Sequence, residues 1–168
     1  LHFAIQNLID FSKRKKYKIK FDIYGPIIDF KYWDECKVLI KMASKNIQIK
    51  YKGVLAKEKV LKIFYNYNFL LFPSLSENFG FVVYESLSSG CPVIISNKIP
   101  WENVKQYGCG FTFKINDNNQ FKDIIESCIE MKPDTFNKMK LNAFNYSKSF
   151  YKKSNSKKLF LNFIYFIL

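Results

Sequence analysis

Two carboxylates, Glu77 and Glu85, stand in an E-x7-E spacing around a glycine, within the segment S-E-N-F-G-F-V-V-Y-E-S-L-S-S-G-C-P. On a helix rising ~1.5 Å per residue their backbones would lie about 10 Å apart. A hydrolytic acid/base pair works with its carboxyls roughly 5–9.5 Å apart across one bond. The wider spacing suits two grips on an extended ligand, one on either side of a phosphate. Gly80 has no side chain, so an anion can approach the amides of Phe79, Gly80 and Phe81 closely. Amides at the start of a helix, together with its dipole, favour such an anion. Asn78 or Ser76 is expected to cap that helix. Glu85 would share its helix face with Phe81, Ser88 and Ser89. By spacing alone, the plainer reading is stronger: a loop charge followed by a solvated helix charge.

The elements that must position these residues follow from the pattern around them. Residues 68–72 form an apolar run stopped by Pro73, as expected of a strand covered on both faces. The helix should run over 79–89, closed by Gly90 and ended by Pro92, with a buried strand over 93–95. Leu1, Ile5, Leu8 and Ile9 open the chain with a helical period. Residues 18–24 then read as a strand leaving sharply at Gly25-Pro26. A helix over 29–44 shows a broad apolar face of Trp33, Cys36, Val38, Leu39, Ile40 and Met42. Residues 46–51 alternate as a strand that turns out at Gly53-Val54-Leu55, and an amphipathic helix covers 57–65. Ile99-Pro100-Trp101-Glu102 opens a short helix, with proline at a tolerated first-turn position. Tyr107-Gly108-Cys109-Gly110 is a turn before a short strand at 111–113. Asn116-Asp117 would cap a helix over 120–131, and Pro133 opens another to about residue 146. This alternation predicts an α/β fold, a Rossmann-like doubly wound parallel sheet.

Composition narrows the function. At 168 residues the chain is one domain of ordinary size. Its net charge of +13 invites a nucleic-acid or membrane reading, but Arg14 is the only arginine. Recognition of phosphates and bases favours the planar guanidinium fork, so nucleic acid is not expected as a partner. The run Lys13-Arg14-Lys15-Lys16 reads as a solvated helix end, with attraction to an anionic membrane surface as the second reading. Cys36, Cys91, Cys109 and Cys128 form no C-x-x-C pair, and His2 is the only histidine. Reduced thiols are expected, and neither a metal cluster nor a Ser-His triad. The expected location is cytoplasmic, with peripheral contact at the inner membrane face as an alternative. Leu rather than Met stands first and no strand precedes the opening helix, the pattern of a chain that begins in mid-protein without a signal peptide. The apolar tail from Leu159 to Leu168 is too short to span a bilayer, which needs about 20 residues. It is expected to pack on a core, with interfacial insertion beside Lys152, Lys153, Lys157 and Lys158 as the sharper alternative.

The run E-N-F-G-F-V-V-Y-E-S-L-S-S-G-C-P-V-I-I-S resembles the donor-site signature of the GT-B glycosyltransferases called group 1, or family 4. The segment P-W-E-N-V-K-Q-Y-G-C-G-F is similar to a variant among bacterial enzymes that build surface polysaccharide. The match is good over residues 21–113 and loose beyond. The resemblance implies the carboxyl-terminal half of a GT-B fold. Residues 1–150 would be the donor-binding domain, and 151–168 a helix packing on the core or on a missing amino-terminal domain. It implies transfer of a sugar from a nucleotide-sugar donor to a glycan or lipid-linked acceptor, with retention and without metal or cofactor. Glu85 would then hold the ribose hydroxyls, and the amides of Phe79, Gly80, Phe81 and Val82 the diphosphate. Glu77, the implied catalytic-site residue, would contact the donor sugar with help from Asn78. Gly25 and Leu55 would border the donor cleft and the base. The family's basic pair on the diphosphate falls upstream of Leu1, so the chain alone is expected to bind donor weakly. A non-catalytic partner subunit of the same fold is the alternative.

Overall fold

The computed structural model describes residues 1–153. Helices and strands alternate throughout. They are α1 (His2–Arg14), β1 (Ile19–Tyr24), α2 (Phe30–Lys41), β2 (Ile47–Gly53), α3 (Lys57–Ile63), β3 (Leu70–Phe72), α4 (Phe81–Ser88), β4 (Val93–Ser96), β5 (Gly110–Phe113), α5 (Asn118–Ile129) and α6 (Pro133–Lys153). Short 3-10 turns at Phe64–Asn66 and Glu102–Val104 complete the order. The apolar tail from Leu159 to Leu168 lies outside the described residues, and of the segment 151–168 only the end of α6 falls within them. Among the described residues no helix is long and apolar enough to cross a membrane.

Among the described residues all strand pairs are parallel, as the alternation predicts, but they form two sheets rather than one. β1 pairs with β2, and β3, β4 and β5 pair in that order. β4 lies in the middle of its sheet and is buried at every position. Its close neighbour β5 depends on Gly110, where a Cβ would stand 2.3 Å from the Val93 carbonyl oxygen. β3 departs from expectation: it is partly exposed rather than covered, because only its β4 side is paired.

Local signals explain most boundaries. The Asp29 carboxylate accepts from the Tyr32 N–H at 2.9 Å and starts α2. Asp117 accepts from Gln120 N–H at 2.9 Å and starts α5. Gly90 at φ 69° ends α4, where the Cys91 N–H returns to the Ser86 carbonyl at 2.9 Å. Lys13 and Arg14 are exposed in the last turn of α1, as the solvated-end reading requires. The predicted apolar face of α2 is only partly used. Cys36 is buried, whereas Val38 and Met42 face solvent. The four cysteines are free thiols.

One core cluster carries Ile5, Leu8 and Ile9 of α1 against Ile47, Ile94, Phe113 and Phe121. A second gathers Val83, Leu87, Val93, Ile95 and Trp101 with Ala143 and Tyr146 of α6. The loop leading from β3 into α4 rests on this second cluster.

Candidate functional site

The site loop leaves the carboxyl end of β3 at Pro73 and enters α4 through Gly80. Ligands of parallel sheets collect at this end of the strands. The predicted cap is corrected here. Gly80 itself occupies the cap position at φ 77°, and no side chain bonds the helix start. Asn78 is turned away from that task, its own N–H reaching Glu77 Oε1 at 3.2 Å. The helix therefore begins at Phe81, two residues later than the pattern suggests. The first helical bond runs from the Val83 N–H to the Gly80 carbonyl at 2.9 Å. The amides of Gly80 and Val82 precede it, at the positions where a helix start leaves donors for a ligand.

Gly80 satisfies two demands at once. Its left-handed backbone strains any other residue. A Cβ there would also lie 3.3 Å from Trp101 Nε1 and 3.4 Å from Glu77 Cγ. Trp101, almost wholly buried, is the residue that sequence reasoning passed over as a helix opener. Its Nε1–H donates to the Phe79 carbonyl at 2.5 Å, and its ring meets Phe79 edge-on at 5.7 Å. Phe150 of α6 packs on its other side at 4.6 Å. The indole thereby ties the site loop to the carboxyl-terminal helix. Its one polar atom and large buried ring were the available signal, since a buried Trp N–H finds a partner. Ser96 adds a second tether, its Oγ donating to the Ser74 carbonyl at 2.5 Å.

Glu77 is exposed in the loop, and Glu85 is partly buried on α4. Burial raises the Glu85 carboxyl above its ordinary pKa, and Lys57 at the start of α3 opposes that shift. One turn on, Ser88 Oγ is buried with no partner among the described residues. Ser89, expected on the same polar face, is instead committed: its Oγ donates to the carbonyls of Leu61 and Glu85, each at 3.0 Å. Phe81 is exposed beside Phe79, the rings 4.7 Å apart.

The remaining predicted residues lie at neighbouring strand ends. Gly25 follows β1, where its N–H donates to the Gly53 carbonyl at 3.0 Å and its carbonyl accepts from Tyr51 Oη at 2.7 Å. It borders a hollow of about 280 Å³ with Leu1, Tyr24 and Tyr51. Leu55 and Val82 line a larger cavity of about 440 Å³ between β1 and β3. Glu77, Asn78, Phe79, Gly80, Phe81 and Glu85 line neither space. The structure thus brings Leu55 together with Val82 and holds Glu77 against Gly80, while Gly25 sits in a separate hollow. Among the described residues no three His, Cys, Asp or Glu side chains cluster as metal ligands.

A polar network unforeseen from sequence flanks the larger cavity. Asp22, with its side chain 1% exposed, accepts from Tyr67 Oη at 2.7 Å. The Tyr67 hydroxyl in turn lies 2.8 Å from that of Tyr24. Burial first, then these two bonds, pushes the Tyr67 phenol well above its ordinary pKa. Lys20 and Lys52 stand 3.4 and 3.9 Å from the Asp22 carboxylate.

No curated relative matches the sequence. Among solved structures, the chain is similar to the C-terminal domain of a glycosyl transferase group 1 family protein, LpcC from Francisella tularensis. That likeness has a TM-score of 0.67 at 20% identity over 89% of this chain and 78% of that one. Anabaena Alr3699/HepE, solved in complex with UDP-glucose, matches with a TM-score of 0.71 at 19% identity. The match covers 85% of this chain and 40% of HepE. Sucrose-phosphate synthase from Thermosynechococcus elongatus matches with a TM-score of 0.72 at 14% identity, over 99% of this chain and 43% of that enzyme. The chain therefore spans less than half the length of these two larger relatives. These likenesses establish the fold as that of a GT-B carboxyl-terminal domain. The family model for glycosyl transferases group 1 matches residues 1–146, and the chain belongs to that family.

Proposed function

We propose that this chain is the donor-binding part of a glycosyltransferase, which moves a sugar from a nucleotide sugar to a glycan or lipid-linked acceptor. The observation that carries the reading is the left-handed Gly80 at the head of α4, beyond the carboxyl end of β3. It opens a helix start to an anion and lies between the two carboxylates. The diphosphate lies against the amides of residues 79–82, which stabilise charge on the leaving group. Glu85 accepts from both ribose hydroxyls, as one ionised carboxylate can. Ser88 Oγ, buried without a partner one turn away, offers a further polar contact. Glu77 and Asn78 meet the donor sugar, and Gly25 and Leu55 border the base. Trp101 positions the loop without touching the ligand. Retention of configuration and independence from metal follow from the family resemblance. So does a bacterial cell-surface polysaccharide as the product, made at the cytoplasmic face of the membrane. Support for the donor comes from HepE, a relative in fold that was solved with UDP-glucose.

The test is a titration of UDP, GDP and ADP into the chain, following backbone amide NMR shifts. One nucleotide should shift residues 79–82, and Glu85→Ala should abolish the effect. Shifts that survive Glu85→Ala would remove Glu85 from the site. No shift with any nucleotide at millimolar concentration, in this chain and again in one extended before Leu1, would favour a non-catalytic partner subunit of the same fold.

A further inference from the structure

Charge is spread unevenly over the helices. α1 carries Asp10, α2 Asp34 and Glu35, α3 Glu58, α4 Glu85, and α5 Asp123 and Glu126. The longest helix, α6, has a single acid, Asp134, in its first turn. From Thr135 to the end of the sequence there are seven lysines and no aspartate, glutamate or arginine. One face of α6 is committed to the fold: Ala143, Tyr146 and Ser147 are buried, and Phe150 packs on Trp101. Lys138, Leu141, Phe144 and Lys148 recur at three- and four-residue steps, which places them together on the opposite face. All four are exposed, Leu141 at 59% and Phe144 at 39%. The Lys148 ammonium stands 4.2 Å from the centre of the Phe144 ring. The outer face of α6 thus sets two apolar side chains between two cations. α2 also exposes Val38 and Met42, but there Asp34 and Glu35 stand exposed one turn before Val38.

We propose that the outer face of α6, with Lys138, Leu141, Phe144 and Lys148, is a docking surface for an anionic lipid membrane. Lysine lays its stem along apolar surface and keeps its charged head in water. Lys138 and Lys148 therefore meet lipid phosphates while Leu141 and Phe144 enter the boundary between headgroups and acyl chains. The choice of cation favours this occupant over a nucleic acid. An ammonium is a compact point charge that answers a diffuse negative surface, whereas phosphates and bases are best gripped by the planar arginine fork, and α6 has no arginine. The two exposed apolar side chains argue the same way, since a bilayer boundary covers them and a phosphate backbone does not. Each lysine held at such a surface tightens binding about fivefold, and the contributions add. The inner face of α6 stays in the cluster of Val83, Leu87 and Trp101. Contact with lipid accordingly leaves the site loop in place, and this inference does not depend on nucleotide binding.

The test is flotation of the full chain with vesicles of mixed phosphatidylglycerol and phosphatidylcholine, against vesicles of phosphatidylcholine alone. Binding is expected to the anionic vesicles and should weaken as salt is raised. Lys138→Glu combined with Lys148→Glu should weaken it by about 25-fold or more. Leu141→Ser should weaken it severalfold at every salt concentration. Lys31→Glu combined with Lys41→Glu, both exposed on α2, should leave binding nearly unchanged, with circular dichroism confirming the fold of every variant. An equal loss from the α2 pair would reduce the effect to net charge and overturn the proposal. Binding that survives the α6 pair would place the lipid contact elsewhere, the tail from Leu159 to Leu168 included, and would overturn it too. So would absence of binding to either vesicle, whether the α6 pair then abolishes binding to an RNA duplex or Leu141→Ser dissolves a dimer of this chain.

Discussion

The half of the molecule built on β3, β4 and β5 and the half built on β1 and β2 are held by different means. In the first, β4 is buried at every residue and Trp101 joins the site loop, α4 and α6 around one indole. In the second, Ile47 is the one hydrophobic residue buried on either strand, and large apolar side chains such as Ile28, Phe30 and Val54 stand in solvent. What orders the second half near the cavity is a polar network, Asp22 with Tyr67, Tyr24 and two lysines. A loop proposed to hold a ligand is well placed on the closed half, where a buried side chain cannot shift without opening a cavity.

The largest expected effect lies in the closed half. Trp101→Ala removes a buried indole and should cost about 3–5 kcal/mol. Chemical denaturation reads the loss, and the amide signals of residues 79–82 should broaden or move even where the fold survives. Gly110→Ala comes next, at roughly 1–3 kcal/mol or more, because the added Cβ meets the Val93 backbone and no flexible side chain can yield. Full stability in that variant would show that β4 and β5 are held less tightly than their spacing implies.

In the open half, Tyr67→Phe deletes the donor to a buried carboxylate and should destabilise by about 1–3 kcal/mol. A neutral outcome would reduce that network to decoration and weaken the contrast between the halves. The smallest effect is Glu85→Gln. Burial raises the folded pKa of this carboxyl, so its protonated form is favoured by folding. The stability it contributes is therefore complete below the unfolded glutamate pKa and is lost as pH rises through the folded value. The amide variant should accordingly melt slightly higher than wild type near pH 7, and the gain should vanish in acid. Nucleotide affinity should fall in the same variant, separating what the fold prefers from what the site requires.

Residue types and spacing were enough to show the α/β alternation and the helix opened near Gly80. They also located Gly90 as its stop, the Asn116-Asp117 pair as the cap region of α5 and the buried strand at β4. Each of these depends on a period, a cap or a turn encoded within a few residues. The donor-site reading came from the E-N-F-G-F-V-V-Y-E run, but the cap itself was misassigned to Asn78 or Ser76. Their preference for capping is a local tendency, and the packing of Trp101 against Gly80 overrode it. Only tertiary structure decided that Trp101 positions the site loop, that Ser89 is spent on backbone carbonyls and that Ser88 is not. It alone also showed that the parallel strands of the described residues part into two sheets. Pairing across a sheet is a contact between residues distant in sequence, and a periodic pattern says which face of a strand is apolar without saying which edge is filled.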